Sequence, residues 1–159
     1  MAVVTPDDLD AALSRFLAEE EATELDHFDY ADAWRLGTWL IERGRRDGLE
    51  MATTVVIGEQ HVFTAALPGT SRDNDLWLDR KIGVVRMFGH SSFYVQHLFR
   101  RQGRDFRTES RLDPALYAAA GGGFPIRVRG IVVGAVANSG WAEAGEHDLA
   151  VEALRALAA

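Results

Sequence analysis

Twice along these 159 residues helical apolar spacing gives way to a strand–turn–strand pattern, and those two hairpin signals limit the fold more than any other feature. The first alternation sets Met51, Thr53, Val55 and Ile57 against Ala52, Thr54 and Val56. A Gly58-Glu59 turn follows, and Val62–Leu67 returns. The second runs through Ile126-Arg-Val128, turns at Arg129-Gly130 and returns over Ile131–Asn138. Gly134 inside that returning strand predicts a bulge or the close approach of another backbone. Two hairpins can join into one antiparallel sheet with helices on one face or both. The expected class is α/β (α+β), with the order α-α-β-β-α-β-β-α.

The helices carry start and stop signals. Thr5 can cap the first, Pro6 suits its first turn, and Asp7 and Asp8 sit at the positive end of the dipole. Leu9, Leu13, Phe16 and Leu17 form its apolar stripe, and Glu19-Glu20-Glu21 reads as a solvated face near its end. A second helix is expected from Asp29, with Tyr30, Trp34, Gly37, Ile41 and Gly44 on one face and Gly48 as its stop. The third spans Asn74 to Phe99, about 39 Å at roughly 1.5 Å per residue, capped by Asp73 or Asn74. Its Gly89, Ser91 and Ser92 predict a close crossing or a bend. A polar segment, Arg100–Arg111, is expected on the surface, and a last helix from Glu143 turns Val151, Leu154 and Leu157 inward.

A chain of this length fits one domain, residues 1–159, with N-terminal helices over 1–48. No apolar run is long enough to span a bilayer, and the start of the chain lacks the pattern of a signal peptide, so the expected location is the cytoplasm. The absence of cysteine removes disulfides, thiolate metal sites, iron–sulfur clusters and covalent haem attachment. A net charge of −7 argues against nucleic acid and anionic membrane as partners. The charge is uneven: residues 1–50 hold 13 acids and 5 bases, whereas residues 71–111 hold 5 acids and 9 bases. Two solvated faces of one monomer account for this, and so does charge-complementary contact between subunits.

From Gly121 onward the sequence resembles the haem-degrading-type domain, the family of GlcG-like and HbpS-like proteins. The resemblance rests on Gly121-Gly122-Gly123-Phe124-Pro125-Ile126, Gly130, Val133-Gly134, Ser139-Gly140 and an acidic helix start with His147-Asp148. Upstream, Asn74-Asp75-Leu-Trp77-Leu-Asp-Arg80-Lys81 and Ser91-Ser92 are similar to a smaller, uncharacterised branch of that superfamily. The resemblance implies a profilin-like sandwich, a homo-oligomer built from dimers, and haem or another small ligand. The Glu146-His147-Asp148 order departs from the expected arrangement of acid and histidine.

Candidate chemistry is sparse. Gly121, Gly122, Gly123 and Phe124 either let an anionic ligand sit against bare backbone or make a tight entry into the following strand. They form neither a P-loop nor a dinucleotide fingerprint. Arg80 and Lys81 either clamp a carboxylate or lie on a solvated face beside Asp79. His147 reads as a half-buried polar residue or as a ligand contact. The histidines offer no pair at metal-binding spacing, so no metal site is assigned, and the serines lack a base, so no catalytic residue is assigned. Trp77 is the candidate anchor at a subunit interface. The leading expectation is a non-catalytic protein holding a small anionic ligand. The alternatives are an oligomeric adaptor acting through protein–protein contacts and, last, a haem-degrading or redox enzyme.

Overall fold

The computed structural model describes residues 2–159. Its element order is α1 (Pro6–Ala22), α2 (Tyr30–Asp47), β1 (Ala52–Ile57), β2 (Gln60–Ala66), α3 (Arg72–Phe88), α4 (Ser92–Arg101), α5 (Phe106–Glu109), β3 (Gly123–Val128), β4 (Ile131–Ser139) and α6 (Glu143–Ala158). The hairpins β1–β2 and β3–β4 join through β1 and β4 into one antiparallel sheet of order β2-β1-β4-β3.

Both central strands are apolar on both sides because helices cover both faces. Val55 and Val136 face a core built with Ala33, Leu36 and Leu40 of α2 and Leu149, Ala150, Ala153 and Leu154 of α6. Ala52, Val56, Ala135 and Ala137 face Leu78, Ile82 and Val85 of α3. The buried stripe of α2 is Ala33, Leu36, Gly37, Leu40 and Gly44; Tyr30 and Trp34 remain more than half exposed. The free edge of β3 is covered by the chain leaving α1: Leu25 N–H donates to Arg127 O at 2.9 Å, and Arg129 N–H to Leu25 O at 3.3 Å.

Three expectations need correction. The single long third helix is two helices, because Gly89 takes the left-handed conformation (φ 72°) that ends α3 and Ser91 begins α4 by accepting from Tyr94 N–H at 3.1 Å. The residue capping α3 is Ser71, and Asn74 returns the bond by accepting from Ser71 N–H at 2.9 Å. Glu19-Glu20-Glu21 is not a uniformly solvated face. Glu20 is buried, accepting from Ser91 N–H at 2.7 Å and lying 2.8 Å from His90 Nδ1, so an acid of α1 holds the break between α3 and α4. Glu19 turns toward His147, and only Glu21 of the three is exposed.

At Gly134 the close approach expected from sequence is present. The residue pairs with Ile57 on one side and Ile126 on the other, and an added Cβ would run into the Val56 carbonyl. Gly134→Ala is therefore expected to destabilise the protein by about 1–3 kcal/mol, the usual range for overpacking a core. A fall in the urea midpoint with unchanged slope would register this.

Candidate functional site

The end of β4, the start of α6 and the middle of α3 meet around one ion pair. Ala142, the residue capping α6, has no side chain able to accept from the first turn. Glu146 folds back instead: its Oε1 accepts from Gly140 N–H at 2.8 Å and Trp141 N–H at 3.0 Å. Its Oε2 accepts from Lys81 Nζ at 2.8 Å, and the same ammonium donates to Asn138 O at 2.7 Å. Both side chains are almost fully buried. Burial pushes the Lys81 amine below its ordinary value, and the Glu146 charge opposes that shift. Lys81 thus does not lie on a solvated face, and Asp79 faces His61 at 3.4 Å.

The triple glycine packs against this cluster. An added Cβ at Gly121 would lie 2.5 Å from Glu143 O, one at Gly122 would lie 2.9 Å from Lys81 Nζ, and one at Gly123 would lie 3.0 Å from Ser92 Oγ. Gly122 also has φ 131°. Their bare backbones admit other parts of the same chain. Gly123 N–H donates to Ser92 Oγ at 2.9 Å, fixing the entry into β3, and Phe124 is wholly buried in the core shared with α2 and α6.

His147, one residue after Glu146, leaves the helix in a different direction. It is fully buried, with Nε2 3.0 Å from Glu19 Oε1 and ring centroids 4.8 Å from Phe16, 5.5 Å from Phe93 and 5.6 Å from Phe124. Nδ1 has no hydrogen-bond partner. Glu19, His147 and the exposed Asp148 offer donor atoms within 4.8 Å of one another, with Arg15 Nε 3.7 Å from the Glu19 oxygen. The structure brings Lys81, Gly122 and Gly123 together and keeps His147 apart from them.

Arg80 faces a separate cleft of about 610 Å³ between α3, α4 and the chain from Arg104 to Ala120. Its guanidinium lies 4.4 Å over the Trp77 ring. Trp77 is only partly buried and stands between this cleft and a smaller recess. Arg100, Arg104 and Arg107 also line the cleft, with Phe106 and Tyr117 among its apolar walls. Its three acids serve the backbone or a neighbouring amide: Asp105 accepts from Thr108 N–H at 3.1 Å, Asp113 from Ala115 N–H at 2.9 Å, and Glu143 from Gln96 Nε2 at 2.8 Å. Arg104 donates to Glu109 O at 3.0 Å. Among the described residues, Arg80, Arg100 and Arg107 form no ion pair. The arrangement can neutralise an anion and cover an aromatic face.

The sequence pairs Arg80 with Lys81 as a clamp near the glycine run, whereas Arg80 faces this cleft with Arg100, Arg104 and Arg107 and Lys81 does not line it. The density of arginine in 100–111 was the available signal, and the folding of 105–120 back beside α3 was not visible. Glu146 had a fainter signal, an acid one turn into a helix whose cap cannot bond.

Residues 28–155 match the family model described as haem degrading protein HbpS-like. A UPF0303 protein of Streptomyces avermitilis is 49% identical over 138 residues, covering 86% of this chain and 85% of that protein. Among solved structures, the Ybr137w protein superposes with a TM-score of 0.84 at 26% identity, covering 99% of this chain and 98% of that one. A PduOC–haem complex superposes with a TM-score of 0.70 at 17% identity, covering 82% of this chain and 94% of that one, which shows a common fold.

Removing Lys81 alone leaves a buried carboxylate short of its cation, so Lys81→Met is expected to cost about 3–5 kcal/mol. Adding Glu146→Gln, which keeps an acceptor for Gly140 and Trp141, should restore part of that loss in a double-mutant cycle read by urea unfolding. A second expectation concerns His97, whose Nδ1 lies 2.8 Å from Phe93 O. Burial holds its imidazole below the ordinary value of 6.5. Below 6.5 the unfolded chain gains a proton before the folded one does, so His97 supports stability above 6.5 and that support fades as pH falls through its lowered value. The urea midpoint should therefore drop more steeply with acidification in the native protein than in His97→Gln.

Proposed function

The chain belongs to the family of HbpS-like haem-degrading proteins, and from that premise we propose that it is a non-catalytic binding protein for a small organic anion held in the arginine cleft. The observation that carries this reading is the imbalance of commitments there: the acids are engaged in local hydrogen bonds, whereas Arg80, Arg100 and Arg107 lack ion-pair partners among the described residues. A volume of about 610 Å³ lies within the range of small-molecule sites. Trp77, Phe106 and Tyr117 supply aromatic surface for a flat ligand.

Haem suits these residues in part. Its carboxylates match the arginines and its plane matches the aromatic walls. Tyr117 is the one lining residue of a type that commonly binds haem iron, and no histidine lines the cleft. His147, fully buried under three phenylalanines, would need the core to open before it met a ligand. The ligand class we favour is therefore a flat aromatic carboxylate, haem included, recognised through its acids. Lys81 and Gly121–Gly123 support the site from behind by fixing α3 and the start of β3, and they do not touch the ligand.

We extend the proposal to assembly and location. The protein acts as a homo-oligomer in the cytoplasm, with Trp77 in a subunit contact. Trp77 keeps exposed surface, and the neighbouring Leu76 is 42% exposed. No helix among the described residues is long and apolar enough to cross a membrane.

Titration with haemin, and with its iron-free porphyrin followed by tryptophan quenching, tests the binding reading. Saturable binding of both is expected, weakened by salt and at least about tenfold by Arg100→Glu with Arg107→Glu, given 1.5–3 kcal/mol per charged hydrogen bond. Absence of saturation, or affinity indifferent to those charge reversals, would contradict it.

A further inference from the structure

Beside the arginine cleft lies a smaller recess of about 300 Å³ that shares Trp77 and Glu143 with it. Lys81 and Glu146 line this recess, together with Trp141 and Asp73. Two of the three Lys81 N–H donors are engaged, by Asn138 O at 2.7 Å and Glu146 Oε2 at 2.8 Å. The other Glu146 oxygen is locked by two backbone amides, so the carboxylate is held in place against the amine. Any side chain at Gly122 would start 2.9 Å from Nζ and crowd it. An amine, a fixed proton acceptor and an open recess thus coincide, and the anion reading gives neither Lys81 nor Glu146 a contact with its ligand.

We propose that this recess is a carbonyl site, where Lys81 condenses with a small neutral aromatic aldehyde to form an imine and Glu146 carries the proton. The Lys81 ammonium passes one proton to the Glu146 carboxylate, and the freed nitrogen lone pair forms a bond to the carbonyl carbon. The carbonyl π pair moves to oxygen, which takes a second proton from nitrogen to give the carbinolamine. Protonated Glu146 returns its proton to the hydroxyl, which departs as water while the nitrogen pair forms the C=N bond. The balance is ammonium plus aldehyde giving a protonated imine plus water, with no oxidant or reductant.

The surroundings select the carbonyl class. The indoles of Trp77 and Trp141 favour an aromatic face, and Asp73 and Glu143 repel an anion. Burial lowers the affinity of Lys81 for its proton, which favours the transfer to Glu146, while the Glu146 charge opposes that shift.

Lys81 is the only lysine of the chain, so the test reads one side chain. Native protein is incubated with benzaldehyde and cyanoborohydride near neutral pH, and benzylation is mapped by peptide mass spectrometry. Lys81 is expected to react at least tenfold faster in the native protein than in the urea-unfolded chain, and at least tenfold slower in folded Glu146→Gln. Labelling of native Lys81 no faster than in urea, or confined to the α-amino group, would overturn the proposal; so would equal rates in native protein and Glu146→Gln. The assay uses no anion and no arginine variant, so its outcome is separate from that of the porphyrin titration.

Discussion

The Lys81–Glu146 pair is the contact on which the arrangement of both recesses depends. It ties α3 to the first turn of α6 across the end of β4, using one carboxylate to satisfy the Gly140 and Trp141 amides and one ammonium to satisfy Asn138 O. Two charges taken out of water cost free energy that their mutual attraction only roughly repays. Such a pair is weak as a source of stability and strong as a device for fixing geometry. With α3 set against β4 by this contact, Trp77, about one turn before Lys81, and Arg80, next to it in sequence, are held at the recess walls.

A second polar arrangement works in the same way at the far end of α3. Glu20 from α1 accepts from Ser91 N–H and pairs with His90, and Arg127 of β3 donates to Gly89 O. The break between α3 and α4 is thus fixed by an acid from one element and a guanidinium from another. Because the helix divides there, α4 can pack against α1 and present Gln96 and Arg100 to the cleft. An unbroken rod would carry those residues away from the segment that forms the opposite wall.

The fold was largely legible because hydrophobic period and turn chemistry agree along most of the chain. Both hairpins, the Thr5 and Asp29 caps and the stop at Gly48 follow from local residues. The division at Gly89 was harder to read, since helical spacing continues on both sides and only the left-handed glycine separates them. Glu19 and Glu20 were misleading because an acidic run has the composition of a solvated face, and its partners His147, His90 and Ser91 lie 70 or more residues away in sequence. The candidate site was half legible for the same reason. Arg80 and Lys81 are adjacent, yet one faces the arginine cleft and the other the carboxylate of α6; that choice is made by tertiary contacts of residues 105–146.

The central claim is that a flat anion sits among Arg80, Arg100, Arg104 and Arg107 while the core around His147 stays closed. Amide hydrogen exchange with and without iron-free porphyrin addresses both halves at once. The account requires slower exchange in 104–120 and at the end of α4, with α6 unchanged. Ligand-induced change centred on α1 and α6, with 104–120 unaffected, would place the ligand elsewhere and contradict it.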